Sequence, residues 1–211
     1  MAKMITIEGG EGVGKSTQAE RLAAWLRERG HEVVMTREPG GSVGAEQIRA
    51  LLVQGVTERW EPITEALLHS AARRDHISRT VLPALERGAW VVCDRFIDST
   101  MVYQGFGLGL SLKKLEMLND FVVGGLKPHL TLVLDAPVEA LTNRIAARKS
   151  LEDRYEQRER DFHERVRRGF LEIAKKEPHR VVVVDATLGV EAVASKIAEV
   201  VRERMGLNGK S

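Results

Sequence analysis

The chain has 211 residues, of which 43% are hydrophobic and 29% are charged, and this balance excludes collagen-like, low-complexity and wholly disordered proteins. Its length indicates one large domain, residues 1–211, rather than two of ordinary size. The 32 basic and 30 acidic side chains leave a net charge of +2, so composition alone implies no polyanion-binding tail.

The cysteine content and the N-terminal sequence predict a cytoplasmic chain. Cys93 is the sole cysteine, so no intramolecular disulfide can form, and Glu8 interrupts the first apolar stretch too early for a signal peptide. The longest run without a charge, residues 99–112, has fourteen residues and three glycines. A membrane span needs about 20 apolar residues, so we expect no membrane partner.

Five short β-rich runs alternate with helical patterns along the chain. The runs are residues 3–8, 32–36, 90–94, 130–135 and 180–185, and the helical patterns are residues 15–29, 44–53, 62–87, 112–123, 138–148, 158–176 and 190–205. Because parallel strands need crossover connections, this order predicts an α/β fold in three layers: a five-stranded parallel sheet with helices on both faces. Residues 91–93, 132–134 and 181–184 are apolar without alternation, which predicts that these three strands are central.

One stretch departs from the average composition. Residues 144–168 hold nine basic and six acidic side chains among twenty-five. We interpret this stretch as a mobile charged flap, although a solvated helix with ion pairs four residues apart would have the same composition.

A phosphate-binding motif follows the first predicted strand. Residues 9–16 read Gly-Gly-Glu-Gly-Val-Gly-Lys-Ser, which satisfies G-x-x-x-x-G-K-[ST], and a predicted helix begins directly after the glycines. Glycines let successive backbone N–H groups point into one concavity, and the helix N-terminus adds partial positive charge. The motif predicts a nucleoside triphosphate site with the P-loop NTPase fold, formed by Gly9, Gly10, Glu11, Gly12, Val13, Gly14, Lys15, Ser16 and Thr17. Lys15 is expected to reach the β- and γ-phosphates, and Ser16 to ligate Mg²⁺.

Four further motifs follow in order: Arg37-Glu-Pro-Gly-Gly41, Ala71-Ala-Arg73, Asp94-Arg95-Phe96 and Tyr103-Gln104-Gly105. Together with the glycine loop they resemble the thymidylate kinase family, from Met4 to about Asp185. The resemblance implies transfer of the γ-phosphoryl group of ATP to dTMP, giving dTDP and ADP in dTTP biosynthesis, with Mg²⁺ and as a homodimer. A kinase for another small acceptor, and a nucleotide switch without transfer, remain alternatives.

Asp94 and Arg95 follow a predicted strand at the sheet edge where ligands bind in open α/β folds. An aspartate there can hold the water around Mg²⁺, and a guanidinium can bind phosphate oxygens. In the family the matching arginine contacts the acceptor phosphate, and Arg49 matches a second phosphate-binding arginine. The alternatives are a capped turn and a solvated helix arginine.

The resemblance also implies contacts to the acceptor nucleoside. Arg73 matches an arginine that hydrogen-bonds thymine, and His69 stands where many members carry a phenylalanine that stacks on the base. Glu11 matches an acidic residue that receives the 3′-hydroxyl. Tyr103 and Gln104 match the segment that closes over the sugar. Simple core packing of Tyr103, a bystander role for Glu11 and a spectator role for His69 remain alternatives.

The family places a catalytic arginine either in the glycine loop or in a lid. Position 12 is glycine, so the resemblance favours a lid, at about residues 144–160, with Arg148 and Arg154 in catalysis and Arg144 at ATP. The arginine-rich segments lack interleaved aromatic residues, so we expect no nucleic acid partner.

Overall fold

The computed structural model describes residues 2–56, 59–141 and 158–207. Within these ranges, five strands form one sheet of spatial order β2-β3-β1-β4-β5, and all neighbours are parallel. The strands are β1 (Met4–Gly9), β2 (Val33–Arg37), β3 (Trp90–Asp94), β4 (Leu130–Asp135) and β5 (Val181–Asp185). The predicted parallel sheet is confirmed, and each predicted strand lies within one residue of its observed bounds.

The described helices are α1 (Lys15–Arg27), α2 (Val43–Val53), α3 (Pro62–His76), α4 (Leu82–Glu86), α5 (Ile97–Thr100), α6 (Leu112–Val123), α7 (Arg160–Lys176) and α8 (Val190–Met205). Residues 138–141 are also helical. Two π-helical segments lie at Ile77–Val81, between α3 and α4, and at Met101–Gly107, after α5. The long helix predicted over residues 62–87 is therefore interrupted, because Pro83 in the first turn of α4 has no N–H for the carbonyl four residues earlier.

Buried side chains alternate between the two faces of the sheet. Ile5 and Ile7 of β1 pack in one core cluster with Leu22 and Leu26 of α1. Met4 packs in another cluster on the opposite face, with residues that include Val91, Cys93 and Ile77. A third cluster joins Val133 of β4 to Tyr103, Phe162, Val166 and Phe170. The predicted three-layer arrangement, with helices on both faces, is confirmed.

The prediction that residues 181–184 form a central strand is wrong. β5 lies at one edge of the sheet, and Val183 is 42% exposed there. β1 is central instead and fully buried. Its polar residues tolerate burial because they find partners: the hydroxyl oxygens of Thr6 and Thr131 lie 2.8 Å apart, and the Glu8 carboxyl accepts hydrogen bonds from Phe96 and Ser99.

The charged stretch at residues 144–168 is only partly described. Its last nine residues belong to α7, where Phe162 and Val166 are buried, so this part is a packed amphipathic helix and not a mobile flap. Arg144, Arg148 and Arg154 lie outside the described residues. No helix among the residues that the structure describes has both the length and the apolar character to cross a membrane.

Candidate active site

The glycine loop connects β1 to α1 at the carboxyl edge of the sheet. At Gly9, where φ is +137°, a Cβ atom would lie 2.4 Å from the Leu134 carbonyl oxygen of the neighbouring strand, so only glycine fits. Gly14, with φ of +94°, turns the chain into α1, and no side chain caps this helix. The first amide groups of α1 therefore face the loop as donors for an anion.

Lys15 bends back over the loop. Its ammonium group donates to the Gly10 carbonyl oxygen at 2.6 Å, and the residue is 7% exposed. Burial lowers the pKa of Lys15, and the charge of Arg95 acts in the same direction, whereas Glu11 and Asp94 raise it. Because a phosphate is a stronger acceptor than a carbonyl, this lysine is suited to exchange one for the other.

Ser16 and Asp94 meet beside the loop. The Ser16 hydroxyl donates to Asp94 Oδ2 at 2.6 Å. Asp94 Oδ1 is buried and has no hydrogen-bond partner among the residues that the structure describes. Hydroxyl and carboxylate oxygens are groups that bind Mg²⁺ or the waters around it, so this pair fits the predicted metal position.

Arg95 occupies a strained turn directly after β3. Its φ of +70° makes it the one non-glycine residue with positive φ within the described ranges. Such backbone costs about 1–3 kcal/mol and concentrates at functional sites. Its N–H donates to the Ile7 carbonyl at 3.0 Å, and the Cys93 thiol donates to its carbonyl at 3.0 Å.

The guanidinium of Arg95 is paired with Glu11. Arg95 Nη2 donates to Glu11 Oε1 at 2.5 Å, and the Tyr103 hydroxyl donates to the same oxygen at 2.9 Å. Burial raises the pKa of Glu11, but the charges of Arg95 and Lys15 and the Tyr103 hydrogen bond outweigh it and lower the pKa to about 2. The pairing explains how a carboxylate is tolerated inside a phosphate-binding loop.

This pairing predicts a dependence of stability on acid. Glu11 has a folded pKa of about 2 against an ordinary 4.5, so its contribution is complete above pH 4.5 and is lost as the pH falls toward 2. The loss is on the order of 3 kcal/mol. We expect Glu11→Gln to remove this acid-dependent loss of stability, whereas Glu20→Gln, on the exposed side of α1, should keep it. Urea unfolding between pH 6 and pH 3 measures the free energy of unfolding of each protein. If the free energy of unfolding depended on pH equally in wild type and Glu11→Gln, the pairing of Glu11 with Arg95 would be contradicted.

A cavity lies next to the loop. Its lining residues are Glu11, Glu38, Pro39, Arg49, Val53, His69, Arg73, Arg95, Ser99, Thr100, Tyr103 and Gln104. All seven residues predicted to bind the acceptor are among them. A second, more polar cavity is lined by Glu11, Gly12, Gly14, Lys15, Ser16, Arg37, Glu38, Arg49, Asp94 and Arg95. The two cavities share Glu11, Glu38, Arg49 and Arg95, so the phosphate loop and the acceptor cavity adjoin.

Arg73 is held rigidly at the wall of the first cavity. It is 2% exposed, and its Nε donates to Glu38 Oε2 at 2.7 Å. Nη1 donates to Thr100 at 2.9 Å and to Asn119 at 3.3 Å, and Nη2 donates to the Phe96 carbonyl at 2.9 Å. A guanidinium has five N–H groups, so one hydrogen on Nη2 has no partner within the described part of the chain. That hydrogen is the one that a ligand can use.

The remaining acceptor-side residues differ in burial. Gln104 is 1% exposed and donates from Nε2 to Glu65 Oε1 at 2.8 Å. His69 is half-buried on α3. The ring of Tyr103 packs in the core, 6.1 Å from the ring centre of Phe162, while its hydroxyl reaches Glu11. For Tyr103, core packing and a place in the site are therefore compatible.

Four predicted loop residues line neither cavity: Gly9, Gly10, Val13 and Thr17. Val13 is 5% exposed and packs in the core, so only its backbone can serve the loop, and Thr17 lies outside the second cavity. Sequence reasoning also missed Arg37, which ends β2 and lines the second cavity, and Glu38, which holds Arg73. Both belong to the Arg-Glu-Pro-Gly-Gly motif, whose position after a strand was the available signal.

Comparison with known proteins places this geometry in a family. The thymidylate kinase family model matches residues 7–197. The thymidylate kinase of Caulobacter vibrioides is 53% identical over 203 residues, covering 96% of this chain and 97% of the relative. That of Geobacter sulfurreducens is 48% identical over 210 residues, covering 97% and 99%. The crystal structure of thymidylate kinase from Ehrlichia chaffeensis aligns with a TM-score of 0.76 at 35% identity, covering 95% of this chain and 98% of that one. This chain belongs to the thymidylate kinase family.

Proposed function

We propose that the two adjoining cavities hold the donor phosphates and the acceptor nucleotide of one in-line transfer. The chain, as a thymidylate kinase, transfers the γ-phosphoryl group of ATP to dTMP and releases dTDP and ADP. The observation that carries the residue assignment is the shared border of the two cavities, formed by Glu11, Glu38, Arg49 and Arg95.

The reaction needs no general base. The second pKa of a phosphate monoester is about 6, so dTMP is largely a dianion at neutral pH and is itself the nucleophile. The obstacle is repulsion between two polyanions, which positive groups reduce. In our assignment Lys15 binds the donor phosphates, while Arg95 and Arg49 bind the acceptor phosphate.

Ser16 and Asp94 would hold Mg²⁺ with its waters, and the orphaned oxygen of Asp94 supports this placement. When bound, Mg²⁺ supplies positive charge to the β- and γ-phosphates. Ser16 and Asp94 orient each other through their hydrogen bond, which fixes two oxygen atoms beside Lys15.

The rest of the assignment concerns the nucleoside and the lid. Arg73, Gln104 and His69 face the base, and Glu11 and Tyr103 face the sugar. Roles for Arg144, Arg148 and Arg154 in a lid at about residues 144–160 stay predictions, because these arginines lie outside the described residues. A cytoplasmic location, argued from Cys93, also stays a prediction.

A panel of acceptors tests the function. ADP release is followed in a coupled assay with ATP and Mg²⁺ and with dTMP, dUMP, AMP, CMP, GMP or water alone. We expect dTMP to be turned over well above the others. A different preferred acceptor would indicate another small-acceptor kinase, and nucleotide binding without any phosphorylated product would indicate a switch.

The replacement His69→Phe tests the stacking position. A phenyl ring offers a larger stacking face than imidazole, so we expect the KM for dTMP to fall by about two- to fivefold with kcat unchanged. His179→Phe, at an exposed position, is the matched control. An increased KM for dTMP in the His69 variant would show that the imidazole makes a polar contact instead.

We infer that the chain forms a homodimer through an apolar surface on α3 and α6, which pack against each other. Ile63 and Leu67 on α3 are 53% and 52% exposed, and Met117 and Phe121 on α6 are 66% and 86% exposed. Each pair is four residues apart and shares one side of its helix. Large clustered apolar side chains in contact with water mark an interaction surface.

Phe121→Arg is therefore expected to give a monomer. The charge would face the apolar side of a second copy, where it has no partner. Light scattering measures the molar mass, and Leu188→Arg, at another exposed apolar residue, should leave the dimer intact. A dimer of unchanged mass in the Phe121 variant would place the interface elsewhere.

A further inference from the structure

A fully buried glutamate connects the strand of the phosphate loop to the turn that carries Arg95. Glu8 is 0% exposed and directly precedes Gly9. Its Oε1 accepts from the backbone N–H groups of Phe96 at 2.7 Å and Ser99 at 3.4 Å, and its Oε2 accepts from the Ser99 hydroxyl at 2.6 Å. The Ser99 hydroxyl oxygen in turn accepts from Arg95 Nη1 at 3.3 Å.

These hydrogen bonds fall on the residues that follow the strained backbone of Arg95. Phe96 comes directly after the positive φ, and Ser99 lies one turn further on, in α5. The Ser99 N–H has a second acceptor in the Phe96 carbonyl at 3.2 Å, but the buried Phe96 N–H and the Ser99 hydroxyl depend on Glu8. Without Glu8, these two donors would favour a different course of the chain after β3. Glu8 therefore compensates for the strain at Arg95 and fixes the direction in which its side chain leaves the sheet.

A carboxyl group at this position is costly for the fold. Burial raises the pKa of Glu8 to about 8, and the neighbouring Asp98 adds to the shift, while Ser99, Arg95 and Phe96 act against it. Met4 lies on the same side of β1 and packs in the core without any such cost. An apolar residue such as Met4 would satisfy a need for packing alone at this position. The carboxyl group therefore points to a role in the site.

We propose that Glu8 is a positioning residue for phosphoryl transfer, which sets the Arg95 guanidinium at the border of the two cavities. Because Glu8 and Gly9 are adjacent in β1, one short segment fixes both the phosphate loop and the arginine of the acceptor side. This inference rests on the proposed role of Arg95 in binding the acceptor phosphate.

The test begins with Glu8→Leu, which removes both oxygen atoms at similar size. Since a displacement of about 1 Å in a reacting site can cost about 100-fold, we expect kcat to fall by about that factor. The affinity for ATP, titrated with a fluorescent analogue, should be retained, because the loop and Lys15 are untouched. Glu8→Gln keeps one oxygen atom for the two amides, so it should recover a large part of kcat.

Two further variants cover the case in which Glu8→Leu does not fold. Ser99→Ala breaks the link between Glu8 and the Arg95 side chain, and kcat is expected to fall about fivefold. Thr131→Val removes another buried polar group, which bonds Thr6, Arg180 and Asp98 and lines neither cavity. It should lower stability to urea and leave kcat unchanged.

Double-mutant cycles with Arg95→Ala decide the mechanism. If Glu8 acts through Arg95, replacing Glu8 lowers kcat little further in an enzyme that already carries Arg95→Ala. If the fold losses in kcat of the two single variants multiply in the double variant, the proposal is overturned. A folded Glu8→Leu protein with wild-type kcat overturns the proposal as well. When Glu8→Leu does not fold, wild-type kcat in each of the two single variants Glu8→Gln and Ser99→Ala overturns it. An inactive wild type would defeat the proposed function instead. An unaffected Arg95→Ala would defeat the role of that arginine and, with it, the proposal for Glu8, while leaving the function intact.

Discussion

Replacement of Lys15 by alanine is expected to lower kcat for dTMP phosphorylation by about a thousandfold or more. The ammonium group is held against the glycine loop, where we propose that it exchanges its bond to the Gly10 carbonyl for bonds to phosphate. The KM for dTMP should change far less, because Lys15 does not line the acceptor cavity.

Lys196→Ala is the matched control, since Lys196 is an exposed lysine paired with Glu199 on α8. Its kcat should equal that of the wild type. Initial rates of ADP release at saturating ATP and dTMP provide the measurement, and circular dichroism confirms folding. A Lys15→Ala enzyme within tenfold of wild type would contradict the position assigned to the donor phosphates.

Arg95→Ala is expected to lower kcat/KM for dTMP by about a hundredfold or more, because it removes the proposed phosphate contact and leaves the Glu11 carboxylate without its arginine partner. The KM for ATP should change less. Arg87→Ala, at an exposed arginine paired with Glu32, serves as control. Equal kcat/KM in the Arg95 and Arg87 variants would remove Arg95 from the site.

Arg95→Gly separates the chemistry from the backbone. It loses the same guanidinium, but glycine adopts a positive φ without strain. Both variants should therefore be equally inactive, while Arg95→Gly should be more stable to urea than Arg95→Ala by about 1 kcal/mol. Equal stability would mean that the turn relaxes once the arginine is gone.

Local sequence signals predicted much of this molecule. The strands, the glycine loop and Lys15 are encoded by short motifs with fixed spacing, and all seven predicted acceptor-side residues line one cavity. The order of the strands was harder to predict, because apolar residues at 181–184 are equally compatible with a central strand and with an edge strand whose one face is covered.

What the sequence did not reveal are the polar partners that arise only in three dimensions. Glu38 and Arg73 are 35 residues apart, and Glu8 and Phe96 are 88 residues apart. A glutamate in an alternating strand has the pattern of a surface residue, and only the path of α5 over β1 shows what it binds. Arg37 was missed for the same reason, since its place at the second cavity depends on the β2-β3 pairing.

In the proposed assignment Arg73 contacts the base, so its fixed setting bears on how this enzyme could change its choice of base in evolution. Four of its N–H groups are committed to Glu38, Thr100, Asn119 and Phe96. A single replacement that redirected the guanidinium toward another base would leave several buried polar atoms without hydrogen-bond partners at once. Recognition of a new nucleobase would therefore require coordinated changes on α3, α5 and α6 and in the loop after β2, which makes this preference resistant to stepwise mutation.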